Sequence, residues 1–142
     1  MKTLKIILVM LILIITAKSD AQISVGVTIG TPPEWGPVGY TNVRYYYLPD
    51  VEAYYDINTS MFIYFNGATW INAAVLPGPY ANYDLYHGYK VVLTDYRGTS
   101  PYVYFKDHKA HYPRGYHGTP QRTFREEREN QGKGHEKEKG RK

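Results

Sequence analysis

The chain of 142 residues contains no cysteine. That absence excludes disulfides, a thiolate nucleophile, a zinc–thiolate site and a lipid-modified N-terminal cysteine. Long apolar runs are equally scarce. The single one covers residues 6–15, half of the roughly 20 residues that a membrane-spanning helix needs. Gly-x-Ser-x-Gly, His-Glu-x-x-His and phosphate-loop patterns are missing, and Ser19, Ser24, Ser60 and Ser100 have no His–acid context. No cofactor motif is present, so none is expected. The excess of basic charge is also missing where a nucleic-acid reader would need it. Residues 1–21 carry net +2, residues 22–120 net −1 and residues 121–142 net +3, which together give the formal +4. The basic character therefore sits at the two ends, and a nucleic-acid partner, which needs a basic face on a folded module, is not expected.

What the chain has instead is tyrosine. All 16 tyrosines fall between Tyr40 and Tyr116, and tryptophan occurs only as Trp35 and Trp70. Ahead of that region, Lys2 and Lys5, the apolar run 6–15, and the small residues Ser19 and Ala21 make a secretory leader over residues 1–21. Cleavage after Ala21 leaves Gln22 as the mature N-terminus. The run is too short to remain as a span, so the expectation is an exported protein in the periplasm, the outer envelope or the medium.

Residues 22–39 read as a first strand, with Ile23, Val25, Val27 and Ile29 alternating, followed by a connection holding Pro32, Pro33 and Pro37 around Trp35. Residues 40–113 read as a Tyr-rich β domain of short antiparallel strands over 40–48, 51–57, 61–65, 68–71, 89–94 and 102–106, with one helical turn near 82–87. The fold class is all-β, a small meander forming an open sheet or a partial barrel. Residues 114–142 read as a charged, disordered tail with little apolar surface to bury. Within it Thr123 and Glu126 have capping-box spacing, and Arg125 and Glu129 are an i,i+4 pair.

Register follows from the turns. Asn66-Gly67 reads as a type I′ turn pairing Phe65 with Ala68 and Ile63 with Trp70. A three-residue loop 58–60 pairs Ile57 with Met61 and Tyr55 with Ile63. A two-residue loop sets Asp56 beside Met61 instead, and burying that carboxylate argues against it. One face then carries Tyr55, Ile63, Phe65 and Trp70 as the core. The other carries Tyr54 opposite Tyr64, with Tyr46 on the next strand. Cross-strand tyrosines are ordinary sheet building material; as a flat platform, Tyr46, Tyr54 and Tyr64 are the candidate ligand-binding residues, suited to stacking on sugars or engaging extended peptides.

Other clusters are weaker. Asp107, His108, His111 and His117 have metal-like spacing, but read as polar residues of an exposed connection, and no metal site is assigned. Asp84 and Asp95 bracket the strand 89–94 as a glycosidase carboxylate pair would, although each also suits a turn; no catalytic residue is assigned. Asn58-Thr59-Ser60 fits the N-glycosylation pattern but sits in a hairpin loop.

Several strings taken together, Tyr45-Tyr46-Tyr47-Leu48-Pro49, Ala53-Tyr54-Tyr55-Asp56, Phe62-Ile63-Tyr64, Trp70, Leu76-Pro77, Asn82-Tyr83-Asp84-Leu85-Tyr86 and Lys90-Val91-Val92-Leu93 ahead of Asp95-Tyr96, resemble a group of small Tyr-rich exported proteins of Bacteroidota-type bacteria. The resemblance covers residues 40–118 and implies an envelope setting in a diderm cell, with no activity or site to transfer. Locally, the Tyr-Tyr-Asp hairpins are similar to aromatic hairpin repeats such as choline-binding or OCRE modules. The reading is a non-catalytic exported envelope protein with a structural or protein-interaction role. A glycan- or peptidoglycan-binding module is the alternative, an envelope hydrolase the third reading, and the expected partner an envelope protein or a glycan.

Overall fold

The computed structural model describes the backbone of residues 30–139 and the side chains of residues 30–132. The leader, the cleavage point between Ala21 and Gln22, and the strand expected over 23–29 lie outside the described residues. Five strands, β1 (Tyr45–Leu48), β2 (Ala53–Asp56), β3 (Met61–Phe65), β4 (Trp70–Ala73) and β5 (Val91–Leu93), form one antiparallel open sheet in the order β4-β3-β2-β1-β5. The first four are a meander. After β4 the chain crosses the sheet and returns beside β1, so β4 and β5 are the edges. The all-β fold class stands, as an open sheet rather than a partial barrel. Two helices follow, α1 (Phe105–His111) and α2 (Phe124–Lys139).

Loop chemistry sets a register different from the expected one. β2 meets β3 as Tyr54↔Ile63, Tyr55↔Phe62 and Asp56↔Met61, the pairing that puts Asp56 beside Met61. The carboxylate is indeed buried, at 4% exposure, but it is not left alone. Asn58 N–H donates to its Oδ1 at 2.9 Å and the Arg44 guanidinium lies 3.2 Å from its Oδ2, which offsets the desolvation that argued against this register. β3 meets β4 as Phe65↔Trp70 and Ile63↔Asn72, two residues beyond a type I′ hairpin. The Asn66 side chain accepts from the N–H groups of Ala68 and Thr69, making an Asx-type turn in which Gly67 alone takes positive φ, at 99°.

The slip at β2 changes which residues share a face. Tyr45, Tyr47, Tyr54, Ile63, Trp70, Val91 and Leu93 lie on one face, and Tyr46, Leu48, Ala53, Tyr55, Phe62 and Val92 on the other. Neither is open to water: every residue of β1 and β2 is buried. On the second face the Pro-rich connection lays Trp35 over Tyr55, Tyr46 and Phe62, with ring centroids 4.7, 5.9 and 6.4 Å apart. The chain between β4 and β5 adds Tyr80, Tyr83 and Leu85. Gly36 is required there, because a Cβ would stand 2.8 Å from the Tyr46 hydroxyl.

The first face is covered by the segment read as a last strand over 102–106. It is a 3-10 turn, Pro101–Tyr104, running into α1. Its aromatics recur at helical spacing: Tyr102, Phe105, His108 and Tyr112 turn toward the sheet. Tyr102 stacks on Trp70 at 5.0 Å and 8°, and Phe105 meets the same ring edge-on at 4.9 Å. Pro113 follows the C-cap Tyr112 and bars any continuation of the helix.

The charged segment from residue 114 is tied to the body well past its expected boundary. Thr123 bridges Pro37 and is 3% exposed. Val38 N–H donates to Arg122 O, and Phe124 and Arg125 N–H to Gly36 O and Glu34 O. The capping box forms, with Thr123 N–H donating to Glu126 Oε2 at 2.7 Å and Glu126 N–H to Thr123 Oγ1 at 3.3 Å. This overrides composition because a few backbone bonds and one buried threonine anchor the segment, without an apolar face of its own. Thr123→Ala should cost about 1 kcal/mol, a fall of about 4–8 °C in Tm for a domain of this size. A chain ending at Pro120 should lose more, as measured by thermal unfolding followed by circular dichroism.

Candidate functional site

The three tyrosines proposed as a platform do not share a surface. Tyr54 and Tyr46 are 0% and 2% exposed and lie on opposite faces. Tyr64 is half-buried on the Tyr46 face and pairs with Ile71 rather than opposing Tyr54. The open aromatic surface is elsewhere. Where β5 forms the sheet edge, α1 and the turn after β5 leave a cleft of about 410 Å³ lined by residues 91–96 together with Tyr104, His108 and Tyr112.

Each wall has a local cause. Val91 and Leu93 point into the first face by strand alternation and form the floor. Tyr96 is held by its hydroxyl, which accepts from Ser100 N–H at 3.1 Å, and its ring meets Tyr104 edge-on at 5.6 Å. Tyr104, half exposed at 49%, stands just before α1. His108, one helical turn on, reaches into the sheet, with Nδ1 2.8 Å from the Tyr54 hydroxyl and its ring 5.7 Å from those of Tyr47 and Tyr54.

The electrostatics of this inner wall favour neutral groups. Burial lowers the His108 pKa, the nearby Asp107 acting against it. Burial raises the Tyr54 phenol, with Tyr47 adding to it, and pushes Tyr47 up to about 12, helped by Glu52 and opposed by Arg114. The Tyr47 hydroxyl is buried and has no hydrogen-bond partner among the described residues. The cleft thus has aromatic sides, a neutral imidazole beneath and one exposed carboxylate, Asp95, on the rim.

The other candidates disperse. Among the described residues no three His, Asp or Glu side chains are placed to hold a metal ion. His108 turns inward, His111 sets Nδ1 against the Asp107 carbonyl at 2.8 Å, and His117 is exposed. Asp84 caps its own turn, accepting from Tyr86 and His87 N–H and lying 2.6 Å from His87 Nδ1. Hydrogen bonding from the His87 side chain holds its carboxyl below the usual range. It lines a second cleft of about 310 Å³ with His87, Glu126 and Glu129. Asp84 and Asp95 therefore open into different clefts. Asn58 Oδ1 accepts from Gly30 N–H at 2.9 Å.

Sequence reasoning missed two residues beside the cleft. Gln121 brings its amide to the start of β5, with Oε1 accepting from Lys90 N–H at 3.0 Å and Nε2 donating to Lys90 O at 2.7 Å. A lone glutamine in a charged segment carries no signal for this. Lys90, at 2% exposure, gives its ammonium one acceptor, Tyr86 O at 3.0 Å. Burial lowers its pKa to about 8 against the raising fields of Asp84 and Glu126. No family model, no curated protein and no solved structure matches the chain.

Two outcomes follow. Tyr54→Phe removes the hydroxyl facing His108 and should cost about 1 kcal/mol in denaturant unfolding, because a half-buried imidazole nitrogen loses its hydrogen bond. For Lys90 the folded pKa lies below the unfolded value of about 10.4, so the unfolded chain binds more protons between the two. Stability should rise from about pH 8 to about pH 10. It should then fall, since burial raises Tyr45, Tyr46, Tyr54 and Tyr83 and the unfolded phenols lose their protons first. Lys90→Met should flatten the rise in Tm and leave the fall.

Proposed function

We propose that this is a non-catalytic, exported protein of the cell envelope that acts by binding a protein partner at the β5 cleft. The observation that carries the reading is the cleft itself. It is an aromatic-walled groove of about 410 Å³ at a sheet edge, of the size and lining that suit recognition. The export leader pattern over residues 1–21 supports the location; no helix of the described residues is long and apolar enough to cross a membrane. Against a hydrolase stands the separation of Asp84 from Asp95, and His108 is engaged with Tyr54 rather than with an acid or a nucleophile. The glycan reading moves from Tyr46, Tyr54 and Tyr64 to the exposed Tyr104, with half-buried Tyr112 lining the same cleft.

A photo-crosslinking residue in place of Tyr104, expressed in the native cell, should yield a discrete adduct with one envelope protein. The same residue in place of Val75, which is 70% exposed just after β4, the edge strand opposite β5, should not. Equal labelling at both positions, or none at Tyr104, overturns the cleft as the contact. If peptidoglycan retains the protein and Tyr104→Ala releases it with the fold intact, the glycan alternative replaces the protein partner. Mass spectrometry of the exported chain should find Gln22 first; a chain still beginning at Met1 would overturn the location.

A further inference from the structure

The edge strand that floors the cleft presents its backbone in a way the hydrogen bonds define. Ile57 N–H donates to Arg44 O at 2.8 Å, so the even-numbered residues of β1 turn their backbone groups toward β2. Tyr45 and Tyr47 then face β5, and their partners Leu93 and Val91 face back. By alternation, Lys90, Val92 and Thr94 point outward, away from the sheet.

Lys90 confirms the direction, because both of its backbone groups are taken from outside by the Gln121 amide. That amide is a donor and an acceptor side by side, as one peptide unit of a neighbouring strand would be. Two residues along, Val92 presents the same pair of groups, and among the described residues nothing meets them. Unpaired edge groups of this kind template the addition of another strand. The open stretch is short, bounded by Gln121 at one end and by the turn after Thr94 at the other.

We propose that the β5 edge takes up an extended peptide segment of the partner by strand addition. This rests on the reading of the cleft as an interaction site and names the chemistry of its occupant. One residue of the segment pairs with Val92 through both backbone groups. The residues opposite Val91 and Leu93 share their face and direct side chains into the cleft, between Tyr104, His108 and Tyr112. Those side chains are apolar or aromatic, since the inner wall is neutral and Asp95 on the rim disfavours an acidic one.

The test uses the exported chain, labelled for amide hydrogen exchange by NMR, with linear peptides selected from a random phage-displayed library. Selected peptides should slow exchange at Val92 at least tenfold and shift the cleft resonances. N-methylation of the peptide residue that pairs with Val92 should weaken binding at least tenfold, without any change to the protein. Peptides that shift Tyr104 and Tyr112 but leave Val92 exchange unchanged overturn strand addition and keep the cleft as an interaction site. A library that yields no binder, or binders that shift no cleft resonance, overturns both. Val92 already slow in the free protein, and released by deleting residues 22–29, assigns the edge to the chain's own segment and overturns a partner strand.

Discussion

A buried phenol is an apolar ring with one polar atom at its tip, and this sheet is built from phenols on both faces. Each ring contributes burial and cross-strand contact as a valine or isoleucine would, but each hydroxyl must reach an acceptor or remain a desolvated group. The covering segments answer that demand for Tyr45 and Tyr54, while the Tyr47 hydroxyl stays unpaired among the described residues. Tyr45 donates to Gly98 O at 3.0 Å in the turn after β5, Tyr83 donates to Asp50 at 2.8 Å, and Tyr54 meets His108. The turn after β5 and α1 are therefore each met by one hydroxyl reaching out of the sheet, in addition to their apolar contacts. The Trp35 connection, which belongs to no helix or strand, covers a sheet face all the same.

The same constraint explains how much of the fold was legible. Alternation marked β2 and β5, because period-2 patterns survive substitution of tyrosine for aliphatics, and β3 was readable to its ends as a continuous apolar run between turn signals. The register around β2 was not readable, because it is set by loops whose special residues are not glycines. Glu52 and Ser60 take left-handed backbone at φ 52° and 56°, closing four-residue loops that sequence counts as shorter. Asp56 misled in a more instructive way. A buried carboxylate beside Met61 is costly in isolation, but its partners, Arg44 and the Asn58 N–H, come from outside the strand pair being weighed. Residues 102–106 were ambiguous for the reason that short aromatic runs always are: alternation and i,i+3 spacing coexist in Tyr-Val-Tyr-Phe.

The candidate site was legible in its materials and not in its assembly. Tyrosines do line the cleft, and His108 and Asp95 both drew attention, for a metal cluster and a carboxylate pair that the described residues do not make. The one-residue slip at β2 sent Tyr54 into the first core. The covering of both faces then removed any exposed platform on Tyr46, Tyr54 and Tyr64. What sequence could not supply was the edge. Gln121 is about 30 residues from Lys90 in the chain, and nothing local to either says that they pair.

The treatment of that edge ties the charged C-terminal segment to the cleft. Sheets commonly blunt an exposed edge with charge, bulges or a covering loop. Here one glutamine amide covers one position, and the capping box behind it holds the glutamine in place through Thr123, Pro37 and the Trp35 connection. The anchor that keeps the segment on the body is thus the anchor that limits how much of β5 stays open. Loosening α2's first turn removes a stabilising contact and lengthens the free edge at the same time. Coupling the stability of one element to the exposure of another is a local-unfolding equilibrium. In this chain it runs through a single side chain two residues before the cap.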